Sequence, residues 1–559
     1  MSSVIFFVNQ RQRRRMNRQL RRFQSRSSLK RDGNSGGAEE DQDETLGGKQ
    51  DSLKSLRRSR KRIQIKSAEI VRGVEGLIGN TPLMRINSLS DATGCEILGK
   101  AEFLNPAGSP KDRVALQILN DAEAAGLLHP HTGSRIFEGT VGSTGISLTT
   151  LARAKGYDCS IVIPDDVASE KVELLKKLGA DVLSVRPRGI VDPKHVSDTC
   201  SFPKHGAKLW LISSSHFQFV NEARAQAQAF GSTELVGPHA QRFDPDDHTI
   251  EREDLVVSTQ VSTKAIREGS SGNNYDPDAL EKAPRGFFAD QFENDSNFAA
   301  HFNGTGPEIW EQTGGQIDAF VAGAGTGGTL AGVGAFLKRI YAENLLRQSD
   351  YSQHHYHEQS GSYSSLPDEG GSTLSSIFLN PLQSISAALS GSDSYLPGAG
   401  GGVQVVLADP QGSGLYNKVK HGVMYSETEA EGTRRRYQVD TMVEGIGLNR
   451  LTHNFRLGLD CVDDAERVTD DEAVRMSRWL VLNDGLFLGS SSAVNCVAAV
   501  RTALKLKKTA RSGRRPVVVT ILCDGGARHL SKFHNDDYVT NAGCEVSSDI
   551  SDILQQPRQ

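Results

Sequence analysis

Two stretches of this chain read as strand, glycine-rich turn and helix in direct succession, and that order constrains the fold more than any other feature. Ser134 to Glu138 runs into Gly139-Thr-Val-Gly-Ser-Thr-Gly145, after which Ile146 to Lys155 carries apolar residues at helical spacing up to Gly156. Asp318 to Ala322 does the same through Gly323-Ala-Gly-Thr-Gly-Gly-Thr329. A strand at Cys159 to Ile163 ends at Pro164, a helix at Ser169 to Leu178 ends at Gly179, and the β-branched run Val517 to Leu522 enters Asp524-Gly-Gly-Ala-Arg528. The repetition predicts an α/β fold with mostly parallel sheets, helices on both faces and ligand loops at the strand C-termini.

Not all of the chain belongs to that pattern. The hydrophobic share of 37% is low for 559 fully packed residues. Ahead of the first acid, Asp32, stand nine arginines and Lys30 with several serines, then an acidic cluster from Glu39 to Glu44 and a basic run from Lys54 to Lys66. Dense blocks of like charge bury nothing, so residues 1–68 read as an extension outside the fold. The basic segment has the composition of a mitochondrial presequence; the alternative is a disordered arm on a cytoplasmic protein. Ser349 to Gly402 holds fourteen serines, many glycines and the tract His354, His355, Tyr356 and His357, and reads as a flexible insertion rather than a metal site. A third irregular region, about 198–285, contains one segment of strong helical propensity, Phe219 to Phe230.

A net charge of −4 argues against nucleic-acid binding by bulk electrostatics. Seven scattered cysteines suggest neither a zinc site nor a disulfide framework. No run approaches the roughly 18 apolar residues of a transmembrane helix.

The loop Gly325-Thr-Gly-Gly-Thr329 offers amides and two hydroxyls at a helix N-terminus, where an anion is favoured, although such turns also serve packing alone. It lacks the Gly-Lys-Ser/Thr of a Walker loop and the spacing of a dinucleotide site. In Asn105-Pro-Ala-Gly-Ser-Pro-Lys-Asp-Arg113 a lysine stands where a helix begins. The helix dipole there lowers the pKa of its amine and suits it to Schiff-base chemistry, against the bland alternative of a solvated surface lysine. Together, lysine and loop suit an aldehyde that also carries a phosphate.

These motifs, with Gly79-Asn-Thr-Pro-Leu83, Gln291-Phe-Glu-Asn-Asp-Ser-Asn297, Thr305-Gly-Pro-Glu-Ile-Trp310, Glu444-Gly-Ile-Gly447 and Gly489-Ser-Ser-Ser492, resemble the cysteine synthase and cystathionine β-synthase family of fold type II pyridoxal-phosphate enzymes. The resemblance spans about residues 69–540. It implies a two-domain core at 69–545. The smaller subdomain would cover about 116–295, with the insert at 198–285. The larger would combine about 69–115 with 296–545, with the insert at about 345–402, and residues 546–559 would form a tail. It also implies pyridoxal 5'-phosphate as cofactor, an amino-acid substrate with sulfide as second substrate, and a homodimer. Lys111 would carry the cofactor and move protons at the substrate α-carbon. Gly325, Thr326, Gly327, Gly328 and Thr329 would hold the phosphate, and Ser491 would face the pyridine nitrogen, a role compatible with capping a helix. A neutral partner there favours β-elimination over transamination. Thr140, Val141, Gly142, Ser143, Thr144 and Gln291 would bind the substrate, with Ser143 also contacting the cofactor's ring hydroxyl.

The chain departs from the family where Thr-Ser-Gly-Asn-Thr is usual: Val141 loses a hydroxyl and Ser143 is shorter than asparagine. The expected reaction converts O-acetylserine and sulfide to cysteine and acetate. Serine or threonine dehydration, cystathionine β-synthase-like activity and a weakly active cofactor-binding sensor are the alternatives. The cystathionine reading is disfavoured because no heme-binding CxxxxH segment precedes the core.

Overall fold

The computed structural model describes residues 70–185, 218–231, 233–236, 256–259, 283–359, 402–424, 441–509 and 514–555; apart from Ile70 they belong to one compact unit, Val71–Gln559. In chain order the strands among them are β1 (Leu83–Arg85), β2 (Glu96–Ala101), β3 (Arg135–Gly139), β4 (Asp158–Pro164), β5 (Asp181–Val185), β6 (Thr233–Val236), β7 (Val256–Thr259), β8 (Gly286–Phe288), β9 (Ala319–Gly323), β10 (Gln404–Pro410), β11 (Asp464–Val468) and β12 (Val517–Leu522). They form a six-stranded sheet in the order β1-β2-β12-β9-β10-β11, a four-stranded sheet in the order β5-β4-β3-β8, and the pair β6-β7. All neighbours are parallel except β1 with β2 and β6 with β7.

The register of the larger sheet places Leu98 beside Val519, Val519 beside Phe320, and Phe320 beside Val405. Four consecutive strands therefore end along one edge, where the loops that leave them meet. Val518, Val519, Ile521 and Leu522 are all buried, as expected of a strand covered on both faces. Seven helices position the site. They are α1 (Lys111–Ala124), α2 (Ser143–Lys155), α3 (Ser169–Lys177), α4 (Gln218–Gly231), α5 (Gly328–Gln359), α6 (Asp470–Asp484) and α7 (Ser490–Thr509). The buried start of α7 is built from Ser490, Ser491, Ser492 and Ala493, small residues that let it lie close against β12 and β9.

Two boundaries differ from the sequence expectation. Helix α2 begins at Ser143, inside the glycine-rich turn, because Gly142 takes φ +133° and turns the chain straight into the helix. Helix α5 continues to Gln359, so the start of the serine-rich stretch, with its histidine tract, is helical. No glycine or proline occurs between Ala335 and Ser360, and an established helix extends at little cost per residue until a breaker such as Gly361. Within the irregular region near 198–285, Phe219 to Phe230 is indeed helical as part of α4, and β6 and β7 pair antiparallel. The extension at 1–68, the remainder of both inserts and residues 556–559 lie outside the described residues.

Candidate active site

Lys111 is the first residue of α1, directly after Pro110. Burial holds its amine below the ordinary lysine pKa against the opposing influence of Cys523 and Asp524, so desolvation is the largest cause of the shift anticipated from the helix terminus. The start of α1 is anchored by Arg113. Its guanidinium donates to Glu102 (Nε to Oε2, 2.8 Å; Nη2 to Oε1, 2.8 Å) and to Glu308 (Nη1 to Oε1, 2.6 Å; Nη2 to Oε2, 2.8 Å). Lys100 Nζ joins Glu308 Oε2 at 2.6 Å, Thr81 Oγ1 donates to Glu102 Oε1 at 2.7 Å, and Asn105 Oδ1 accepts from Gly79 N at 2.9 Å. Three sequence motifs and the end of β2 thus meet in one buried ionic cluster at the start of α1. Burial pushes the Glu308 carboxyl up, but Arg113 and Lys100 outweigh it and hold it at about 2.

The loop after β9 is a cradle that only glycine permits. A Cβ on Gly325 would lie 2.0 Å from Gly445 O, and one on Gly328 would lie 2.1 Å from Asn297 Oδ1. At Gly327, φ is +88° and a Cβ would meet Phe455 Cβ at 2.5 Å. None of the amides from Gly325 to Thr329 finds an acceptor among the described residues. Asn297 Nδ2 donates to Thr326 Oγ1 at 2.8 Å, while its buried Oδ1 has no partner among the described residues. Thr452 Oγ1 donates to Thr326 O at 2.8 Å. Thr329 Oγ1 lies 3.0 Å from His301 Nε2, and His301 Nδ1 lies 2.9 Å from Thr305 Oγ1. Burial, reinforced by the charges of Lys111 and Arg113, drives the His301 pKa well down, so a neutral ring bridges the two hydroxyls.

Ser491 lies in the first turn of α7, 7% exposed, and the hydroxyl of its neighbour Ser492 accepts from Cys523 N at 2.8 Å, which fastens the start of α7 to the end of β12. Burial pushes the Cys523 thiol up to about 11, with Lys111 close enough to pull the other way. The end of β12 therefore adjoins the start of α7 and comes within electrostatic reach of the lysine. Asn495, one turn further along α7, accepts from Gly323 N at 2.7 Å and donates to Ile521 O at 2.8 Å, joining the ends of the two strands that lead into the site.

The loop after β3 presents the amides of Ser143, Thr144 and Gly145 without acceptors among the described residues, in the first turn of α2. Thr140 Oγ1 accepts from Gly142 N at 3.2 Å, Val141 is 38% exposed, and the Ser143 hydroxyl has no hydrogen bond there. Thr144 Oγ1 donates to Gln291 Oε1; Gln291 O accepts from Asn297 Nδ2 at 2.8 Å, and Asn297 reaches Thr326. The two glycine-rich loops are therefore joined by a single polar chain. Asn297 and His301 were not singled out from sequence as site residues. The signal for Asn297 was its place at the end of the Gln291 motif; for His301 it was a histidine four residues before Thr305.

A buried lysine whose amine is held below its ordinary pKa, a cradle of amides without acceptors among the described residues and the hydroxyls at the start of α7 are the parts that a phosphate-bearing aldehyde requires. The sequence profile of the family described as "Pyridoxal-phosphate dependent enzyme" matches residues 74–246, 256–357 and 384–524, and this chain belongs to that family, with pyridoxal phosphate as cofactor. Among its relatives, "Cysteine synthase 2" of Neurospora crassa is 47% identical over 468 residues, covering 84% of this chain and 74% of that one. "Cysteine synthase 2" of Emericella nidulans is 46% identical, covering 87% of this chain and 84% of its own. A Saccharomyces cerevisiae protein whose name includes the words mitochondrial cysteine synthase is 41% identical, with 86% of each chain covered. Among the described residues no helix is long and apolar enough to cross a membrane.

Proposed function

We propose that the protein makes cysteine and acetate from O-acetylserine and sulfide. The observation that carries this reading is the fastening of the start of α7 to the end of β12 through Ser492 and Cys523, within electrostatic reach of the buried Lys111 amine, with the glycine cradle at the neighbouring strand end. Bound pyridoxal phosphate supplies an electron sink for bond breaking at the substrate α-carbon. Gly325 to Thr329 would hold its phosphate through backbone amides, and Lys111 would hold its aldehyde end and move the proton at the substrate α-carbon. Ser491 would offer the ring nitrogen a hydroxyl rather than a carboxylate, which favours loss of a β-substituent. The amides of Ser143, Thr144 and Gly145 bind the substrate carboxylate, with Thr140 and Gln291 fixing the shape of that loop. Ser143, whose hydroxyl has no hydrogen bond among the described residues, would contact the cofactor's ring hydroxyl.

The protein works as a homodimer in mitochondria; its basic N-terminal segment and the name of the yeast relative support the location. Sedimentation of the purified holoenzyme tests the dimer. The reaction is tested by supplying O-acetylserine with and without sulfide and following acetate and cysteine. Stoichiometric release of both by wild type, and neither by Lys111→Ala, is the expected result. Conversion of serine or threonine to a 2-oxo acid, with no reaction of O-acetylserine, would make it a dehydratase. Cofactor binding without any turnover would make it a sensor or partner protein.

A further inference from the structure

Lys171, in the first turn of α3, is 3% exposed, and such a buried ammonium must be paired to be tolerated. Its stem lies flat against the loop after β3: a Cβ on Gly142 would sit 2.7 Å from Lys171 Cδ and 3.4 Å from its Cβ and Cγ. Its ammonium meets Glu444. That carboxylate also accepts from Ala168 N at 3.3 Å and lies 3.3 Å from Lys532 Nζ and 3.7 Å from His529 Nδ1. Burial pushes the Glu444 carboxyl up, but Lys171, His529 and Lys532 outweigh it and keep it below the usual range. Glu444 N donates to Ser490 Oγ at 3.1 Å, next to Ser491, and the following residue, Gly445, presents the carbonyl that crowds Gly325. Next to Lys171, Glu170 accepts from Ser531 N and Oγ, both at 2.7 Å.

We propose that Lys171 is a positioning residue. By pressing on Gly142 and pairing with Glu444, it holds the loop that binds the substrate carboxylate in register with the two segments that bind the cofactor. It rests on the assignment of that loop made above. A side chain at Gly142 would collide with the lysine stem, and the lysine cannot move away without giving up Glu444, its one ion-pair partner among the described residues, and leaving its own buried ammonium unpaired. The loop conformation and the ion pair therefore stand or fall together. An ordinary structural ion pair would make a different prediction, a general loss of stability with no preference for residues 140–146.

The test compares the holoenzymes of wild type, Lys171→Met, Lys171→Arg and Glu444→Gln by backbone hydrogen exchange and by steady-state kinetics. Lys171→Met and Glu444→Gln should raise exchange across residues 140–146 about tenfold while residues 325–329 change little. They should raise KM for O-acetylserine about tenfold or more with kcat nearly retained, and Lys171→Arg should recover most of both effects. Unchanged exchange at 140–146, or an equal rise in both segments, would overturn the proposal, as would an unchanged KM. If Lys171→Met does not fold, Glu444→Gln and Lys171→Arg carry the same comparison. If wild type does not turn over O-acetylserine, the assigned reaction fails, and the exchange pattern alone decides the role of Lys171.

Discussion

Ser147 Oγ donates to Asp112 Oδ1 at 2.6 Å, tying the helix that begins at Lys111 to the helix that begins at Ser143. Asp112 Oδ2 accepts from Ala107 N at 2.6 Å, so the same carboxyl also closes the turn ahead of the lysine. Burial pushes this carboxyl up to about 6, opposed by the bonds from Ser147 and Ala107. Because the bond from Ser147 favours the charged form, Ser147→Ala should destabilise more above that pH than below it. A loss of about 1–3 kcal/mol is expected at pH 8, shrinking by pH 5, read from urea unfolding of the holoenzyme.

At Gly325 the added methyl has nowhere to go, because the opposing atom is a backbone oxygen. Gly325→Ala should weaken pyridoxal phosphate by about 1–3 kcal/mol, roughly tenfold to a hundredfold, in an equilibrium titration of the apoenzyme. Unaltered affinity would mean that the loop after β9 is not the phosphate site.

Val141 and Ser143 stand where the resemblance leads one to expect serine and asparagine, and in the structure one is an exposed apolar side chain and the other a hydroxyl without a hydrogen bond among the described residues. Replacing them together, Val141→Ser with Ser143→Asn, should raise kcat/KM for O-acetylserine by roughly tenfold if these positions limit substrate orientation. No gain would assign the departures a different role.

Asp409, fully buried at the end of β10, accepts from Tyr416 N at 2.7 Å through Oδ2, while Oδ1 has no hydrogen bond among the described residues. Burial raises its pKa to about 7, so the folded protein keeps a proton that the unfolded chain has released by then. The stability linked to this proton is complete below the unfolded value near 4 and is lost as pH rises through about 7. Asp409→Asn keeps an acceptor for Tyr416 N and removes the ionisation. The variant should gain on wild type by up to about 4 kcal/mol between pH 4 and pH 8, measured as the difference between their urea unfolding free energies.

Deleting residues 1–31 should release a fluorescent fusion from mitochondria to the cytosol while leaving the cofactor bound, since every motif of the site lies beyond Gly79. An unmoved fusion would refute targeting by that segment.

Much of the site could be read before the structure because it is local. Lys111 at a helix start and the glycines at 325, 327 and 328 announce themselves through neighbours in sequence, as do the turns after β3, β9 and β12. Helix boundaries were less legible: only the φ of +133° at Gly142 explains why α2 starts at Ser143. What joins the pieces could not be read at all. Arg113 and Glu308 are 195 residues apart, Thr144 and Gln291 are 147 apart, and Lys171 and Glu444 are 273 apart. Backbone sterics, helix termini and β-branched runs act over a few residues, so the sequence by itself determined the elements, the lysine and the cradle. Pairing of buried charges and hydroxyls depends on which strand ends are brought to the same edge of a sheet. That order, β2-β12-β9-β10, exists only in the tertiary structure, and it decided which side chains face one another around Lys111.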